Sequence, residues 1–333
     1  MSYAELHCLS CYSFLRGASQ PQELVQRAAE LGYAALAITD ECSLAGVVKA
    51  HVAAKEQGLP LIIGSELNLV EGIRLLALVP SRAAYSELSG LISLARRRSP
   101  KGEYRLALRD VVFHLKRCLL IWLPRGDAGA ARGDGPDGGD RDARTDAEGS
   151  ADDSSRGDMP AATAIEQGYG LQLARLCKGR VWLGVTHVLG NDEVARYRRL
   201  YALAQALDLP MVACGNVQMH RATRKPLHDV FTALRHNTSV ARLGRRRLAN
   251  SQQHLRQLRQ LRRLYPLPCW RPRWISPTAA SSAWMSCAMN TRRKSCRRGI
   301  PPTAICGNWW RRAAPGAGPM GCRRRSRCAS NRN

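Results

Sequence analysis

Over positions 1–240 the sequence alternates short apolar runs with longer amphipathic stretches, and this alternation leaves few folds open. The runs are AALAIT (34–39), PLIIG (60–64), IRLLALV (73–79), CLLIWL (118–123), RVWLGVT (180–186) and PMVACG (210–215). Runs this short read as strands buried on both faces. Helical patterns lie between them. Ser19, Pro21 and Glu23 form a helix start, Leu24, Val25, Ala28, Ala29 and Leu31 give one apolar face, and Gly32 is a stop. SLAGVVKAHVAAKEQG (43–58) reads as a second helix, with others expected over 81–97, 192–207 and 226–236. The run at 73–79 and the helix after it read as one more repeat of the same unit. Strand–helix–strand at this spacing predicts parallel pairing with helices covering the sheet, an α/β fold.

In parallel βα folds the working residues collect at the C-terminal ends of strands. His7, Asp40, Glu66, Asn216, Gln218 and His220 stand at such ends. Each alone reads equally well as a loop residue, but their recurrence points to a site.

Residues 125–158 differ from their surroundings. They are Gly, Asp, Ala, Arg and Ser with almost no large apolar side chain. Such a segment cannot offset its ordering entropy, so it reads as a disordered insertion between strands. Charge is also unevenly spread. The chain carries a net +25, yet 22 of its 51 Lys and Arg lie from position 241 on, where there is no Asp or Glu. The first 240 residues hold 29 basic against 26 acidic side chains, an ordinary globular balance. No apolar run approaches the ~20 residues of a membrane span, and the start, MSYAELHC, lacks a basic n-region. A cytoplasmic protein is expected, with its 12 Cys as thiols.

The stretches ELHCLSCYSFLRGAS (5–19), ALAITDECSLAGVVKAHVAA (35–54) and LPLIIGSELNLV (59–70) closely resemble the start of bacterial error-prone DNA polymerases. These are C-family polymerases related to the polymerase III alpha subunit. MVACGNVQMHRATRKPLHDVFTALRHNTSV (211–240) and HLRQLRQLRRLYP (254–266) continue the likeness, so it covers most of 3–266 outside the insertion. The resemblance implies an N-terminal PHP domain over 1–240, a distorted βα barrel whose strand ends bind up to three metals for phosphoester hydrolysis. It implies that 241–266 begin the connection to a polymerase region.

Mapped residue by residue, His7 matches the first His of the family's His-x-His, and Leu9 stands in place of the second. Asp40 matches the Asp of Thr-Asp-His, with Glu41 replacing its His, and Glu66 matches the bridging Glu. Asn216 and Gln218 replace a final Asp-x-His, and His220 follows two residues on. An apolar side chain cannot ligate, and neutral amides are poor ligands beside imidazole and carboxylate. The metal centre therefore reads as vestigial: His7, Asp40, Glu66 and His220 hold at most one divalent ion weakly, and no catalytic residue is expected. The resemblance further implies DNA as partner and Mg²⁺ as cofactor of an intact polymerase. The acidic residues that hold the metals of DNA synthesis lie beyond residue 333 in the family, so this chain is expected not to polymerise DNA.

After Pro266 the resemblance stops. Positions 267–333 show no helical or alternating period, yet hold five of the seven Trp and half of the Cys. RGIPPTAICGNWW (298–310) can be back-translated and read one base earlier as AGHTPNGYLRQLV, which is similar to what the family carries after its PHP domain. The tail thus reads as an out-of-frame, disordered, basic segment, and the chain as truncated by a frameshift.

Two other functions stay open. One is an active metal-dependent phosphoesterase. The other is a nucleic-acid binder acting through Arg and Trp of the tail. Cys8-x-x-Cys11 lacks the second pair that a structural zinc site needs. Gly316-x-Gly318-x-x-Gly321 follows no strand, so it is no dinucleotide loop. His114 and His187 are weaker ligand candidates near strand ends.

Overall fold

The strand runs become a rolled sheet because both of their faces are apolar. The computed structural model describes residues 3–124, 159–190 and 192–265. In chain order the first half holds β1 (Ala4–Glu5), α1 (Pro21–Glu30), β2 (Ala35–Ile38), α2 (Val47–Gln57), β3 (Leu61–Asn68), β4 (Arg74–Leu78), α3 (Arg82–Arg97), α4 (Leu108–His114) and β5 (Leu119–Trp122). Then follow α5 (Met159–Leu176), β6 (Val181–Val185), α6 (Glu193–Ala206), β7 (Met211–Ala213), α7 (Lys225–Arg235) and α8 (Leu258–Leu264). The seven strands pair in sequence order. Past β1 and β7, Leu9 N–H donates to Val217 O at 2.8 Å and Val217 N–H to His7 O at 2.9 Å. This exchange nearly closes the sheet into a barrel.

One expectation is corrected. The 73–79 run is not another parallel repeat: β4 is antiparallel to both β3 and β5. The residues between Asn68 and Arg74 are too few for a crossover, which needs a dozen or more. They form a hairpin instead, with Gly72 at φ +84°. The other pairs are parallel, as expected. The helix starts shift slightly. Gln20, not Ser19, caps α1, and its backbone N–H bonds the Glu23 carboxylate at 2.8 Å. Ser81 caps α3 by accepting from Ala84 N–H.

Two apolar layers hold the fold. Ala4, Leu6, Ala35, Ala37, Ile62, Leu76, Leu78, Ile121, Leu123, Val212 and Cys214 fill the barrel lumen. A larger layer, including Leu36, Ile38, Ile63, Leu75, Leu120, Leu183 and the inner faces of α1, α2 and α3, lies between strands and helices. Residues 241–265 return to this unit: Leu255, Leu261 and Tyr265 are buried in the outer core, and the Tyr265 hydroxyl donates to Cys214 O at 3.0 Å. Among the described residues no helix is long and apolar enough to cross a membrane. The expected insertion (125–158) and out-of-frame tail (267–333) lie outside the described residues.

Candidate functional site

Three of the lumen columns end in a polar residue at one rim. Side chains alternate along a strand, so residues two apart share a face. On β3, Ile62 and Gly64 face the lumen and Glu66 follows. On β4, Leu78 and Leu76 face it and Arg74 follows. Because β4 runs backwards, its first residue reaches the rim where β3 ends, and Arg74 pairs in register with Asn68. On the β7 side, Asn216 stands two residues past the lumen residue Cys214.

At this rim the structure brings together two of the residues singled out from sequence. His7 Nε2 lies 2.6 Å from Glu66 Oε2, and both side chains are fully buried. Burial lowers the His7 pKa against the raising effect of Glu66. Burial alone would raise Glu66, but the charge of Arg16, the bond to His7 and the charges of His7 and Arg74 outweigh it and hold the carboxyl well below the usual range. The two side chains share one buried hydrogen bond, whose donor depends on the His7 tautomer. Among the described residues His7 Nδ1 has no hydrogen-bond partner.

The central group is one that the sequence reading passed over. Arg16 is only 6% exposed, and its Nη1 donates to Glu66 Oε1 at 2.9 Å and to Glu41 Oε2 at 2.5 Å. Glu41 is completed by Asn68 Nδ2 at 2.8 Å and by the Tyr104 hydroxyl at 2.9 Å. A guanidinium thus stands between two carboxylates.

Asp40 delivers that guanidinium. Its Oδ1 accepts from Ser10 N–H at 2.7 Å and Ser13 Oγ at 2.8 Å, and its Oδ2 accepts from Ser10 Oγ at 2.7 Å. These bonds wrap the loop 10–17 around the β2 end, and Arg16 is carried on it. Burial nevertheless raises the Asp40 pKa, with the serine bonds opposing. Gly46, before α2, packs so close that a Cβ there would meet Asp40 Oδ2 at 2.7 Å.

The remaining expected residues do not join them. His220 Nδ1 bonds Ser19 Oγ at 2.8 Å, and burial lowers its pKa. Gln218 Oε1 lies 2.6 Å from His228 Nε2. Leu9 is fully buried. His187, at the end of β6, holds Glu193 Oε1 through Nδ1 at 2.8 Å, and His114 ends α4. Cys8 and Cys11 are free thiols.

This donor set does not fit the metals its fold would imply. Where the resemblance places three imidazoles and one carboxylate, this chain has Leu9, Glu41, Gln218 and Asn216. The oxygens of Glu66 are committed to Arg16 and His7, and those of Asp40 to two serines. A fixed positive charge beside Glu66 repels a divalent cation by several kcal/mol at a few ångströms, even at a protein-like dielectric of about 20. Among the described residues no three His, Cys, Asp or Glu are grouped to hold a metal ion. The side chains at the rim are engaged in hydrogen bonds and ion pairs with one another.

The nearly closed seven-stranded α/β barrel is of the PHP type, and residues 5–120 match the PHP domain family. More closely, the chain is a relative of error-prone DNA polymerases and matches their N-terminal region. It is 45% identical over 266 residues to the error-prone DNA polymerase of Saccharophagus degradans and 44% identical over 266 to that of Teredinibacter turnerae. Each alignment covers 80% of this chain and 22% of the relative, so the chain spans about a fifth of the length of these proteins. Among solved structures it is similar to an amidohydrolase from Chromobacterium violaceum with bound sulfate and no metal. That match has 14% identity and a TM-score of 0.45, covering 66% of this chain and 88% of the other.

Proposed function

We propose that this chain acts as the N-terminal PHP domain of a cytoplasmic error-prone DNA polymerase, and that its barrel is a structural platform rather than a hydrolase. In this reading damage-tolerant DNA synthesis, with Mg²⁺ and DNA, belongs to residues that this chain does not carry. The observation that supports it is Arg16 bridging Glu41 and Glu66 inside the barrel mouth. A guanidinium keeps its proton at all accessible pH values, so it permanently offsets one of the two negative charges beside it without activating a water. The surviving His7, Asp40, Glu66 and His220 then serve hydrogen bonding.

The out-of-frame origin of positions 267–333 belongs to the same reading, and the nucleotide sequence around the Pro266 codon tests it. The enzymatic part is tested by incubating the full chain with p-nitrophenyl phosphate and, separately, with a primed DNA template and deoxynucleotides, each with Mg²⁺, Mn²⁺ or Zn²⁺. No turnover and no primer extension above a protein-free blank are expected. Metal-dependent ester turnover that Glu66→Gln removes would overthrow the platform reading.

A further inference from the structure

The outer helices α4 and α5 wall a second concavity, a groove of about 560 Å³ that shares no residue with the Arg16 network. Leu108, Val112 and Phe113 of α4 line it together with Leu176 of α5. Leu108 is buried and Val112 half-buried, but Phe113 is 70% exposed and Leu176 54%. Single exposed apolar side chains are ordinary on a protein surface. Several that converge on one concavity mark a binding surface. The charge beside them has one sign. Arg109, in the first turn of α4, and Lys116, just past its last, are exposed and also line the groove. Lys116 Nζ lies 5.7 Å from the centre of the Phe113 ring. Arg109 has only Asp110 beside it, and that carboxylate is bonded to Arg98 at 3.0 Å. Glu71, the carboxylate that lines the groove, is turned into its wall: Oε1 accepts from Leu108 N–H at 2.9 Å, and Oε2 is buried. An occupant therefore meets an apolar floor with a cation at either end.

The walls are helices, so an occupant meets side chains rather than an open strand edge. An amphipathic helix suits such walls, because its residues at i, i+3, i+4 and i+7 lie along one groove. Arg109 and Lys116 are seven positions apart, and carboxylates at i and i+7 of a bound helix fall at a matching two-turn spacing. A purely polar acidic segment would leave the apolar floor in water. An uncharged one would leave both cations without a partner. We propose that the α4–α5 groove docks an acidic amphipathic helix of a partner protein. Its apolar stripe lies on Val112, Phe113 and Leu176, and its carboxylates lie on Arg109 and Lys116. This goes beyond the platform reading and does not depend on it, since no residue of the groove belongs to the metal pattern.

Fluorescence anisotropy of the full chain with a labelled model peptide tests this. The peptide carries Leu at i, i+3, i+4 and i+7 with Glu on the flanks. A scrambled twin of the same composition reports plain attraction to basic residues elsewhere in the chain. The helical peptide is expected to bind tighter than its scramble. Phe113→Glu is expected to remove that preference by weakening the helical peptide about thirtyfold, the size of a lost aromatic anchor. Leu176→Glu, on the other wall, is expected to act the same way. Both side chains are exposed, so the melting temperature should not move. Arg109→Glu combined with Lys116→Glu is expected to weaken the Glu peptide about fivefold and to turn the preference toward a twin with Lys in place of Glu. Equal binding of peptide and scramble to the wild-type chain overturns the site, as does a preference that survives Phe113→Glu and Leu176→Glu. An unchanged preference for the Glu peptide after both cations are reversed overturns the acidic partner. Binding to phosphatidylglycerol vesicles that Phe113→Glu removes, with no preference among the peptides, assigns the groove to a lipid surface and overturns the proposal.

Discussion

Arg16 Nη1 stands 2.9 Å from Glu66 Oε1, with the carboxylate fully buried and the arginine nearly so. Removing one partner of such a pair leaves the other charge stranded in a poor solvent for ions. Arg16→Met is therefore expected to destabilise the barrel by about 3–5 kcal/mol. The double variant with Glu66→Gln should recover part of that loss, because the stranded charge goes with it. Urea unfolding of the wild type and these two variants checks this. A loss below about 1 kcal/mol for Arg16→Met, the value of an exposed pair, would mean that water enters the mouth freely.

The same pair fixes a pH response. The Glu66 pKa is depressed in the fold, so its contribution is fully present above its unfolded value and is lost as pH falls through the folded value. Stability should begin to drop below about pH 5, near the unfolded carboxylate value, and should keep dropping well below it. Glu5 works in the opposite direction. Burial raises its pKa despite hydrogen bonds from Gly215, His7 and Tyr3. Its contribution is present below its unfolded value and lost as pH rises through the raised one. Unfolding free energy against pH should show Glu66→Gln flattening the acid limb and Glu5→Gln flattening the limb above about pH 4.5. Identical profiles for wild type and both variants would contradict these assignments.

How much of this could be read from sequence depends on which physical signal each feature leaves. Buried strands leave an apolar run, so β2 to β7 were visible. A run looks the same in either direction, however, and only the short link across Gly72 marks β4 as reversed. His7, Asp40 and Glu66 were visible because they stand at strand ends. Arg16 was not, because an arginine in a loop reads as a solvated surface charge. Its burial comes from the serine bonds that hold its loop on Asp40, and Ser10 and Ser13 carry no spacing signal for that. Arg74 was hidden for the same reason as β4: its place at the rim follows from strand direction.

Barrel closure hangs on a small clasp. Glu5 Oε1 accepts from Gly215 N–H at 2.7 Å and His7 N–H at 3.0 Å, and Oε2 accepts from the Tyr3 hydroxyl at 2.9 Å. A Cβ on Gly215 would meet Glu5 Oε2 at 2.2 Å, far inside contact distance. Gly215→Ala is expected to cost about 1–3 kcal/mol, as overpacking does elsewhere, and to speed hydrogen exchange at Val217 N–H, the closing bond. A melting temperature equal to wild type would show that the clasp yields without cost.

Positions 267–333 carry 14 Lys and Arg and no acidic residue. Any nucleic acid held by them should be released by salt, because binding of this kind is driven by counterion release. Wild-type affinity for single-stranded DNA is expected to fall steeply between about 50 and 200 mM salt. Deleting 267–333 should remove most of it while leaving the melting temperature of the barrel unchanged. Equal affinity and equal salt slope for the shortened chain would place DNA binding on the barrel instead.

The final expectation concerns what a metal centre would require here. Leu9→His, Glu41→His, Asn216→Asp and Gln218→His restore the donor types that the PHP pattern places at those positions, and Arg16→Ala removes the competing charge. Imidazole at position 41 and carboxylate at position 216 are then added to a rim that already holds His7 and Glu66. The five-fold variant should bind Zn²⁺ or Mn²⁺ and gain about 2.7 kcal/mol of stability at a hundredfold excess over Kd. The version that keeps Arg16 should bind more weakly, since its guanidinium occupies Glu66 Oε1. Thermal melts across a metal titration separate the cases. Should the unmutated chain take up metal as tightly as the variant, the guanidinium would not be the reason for the lost centre.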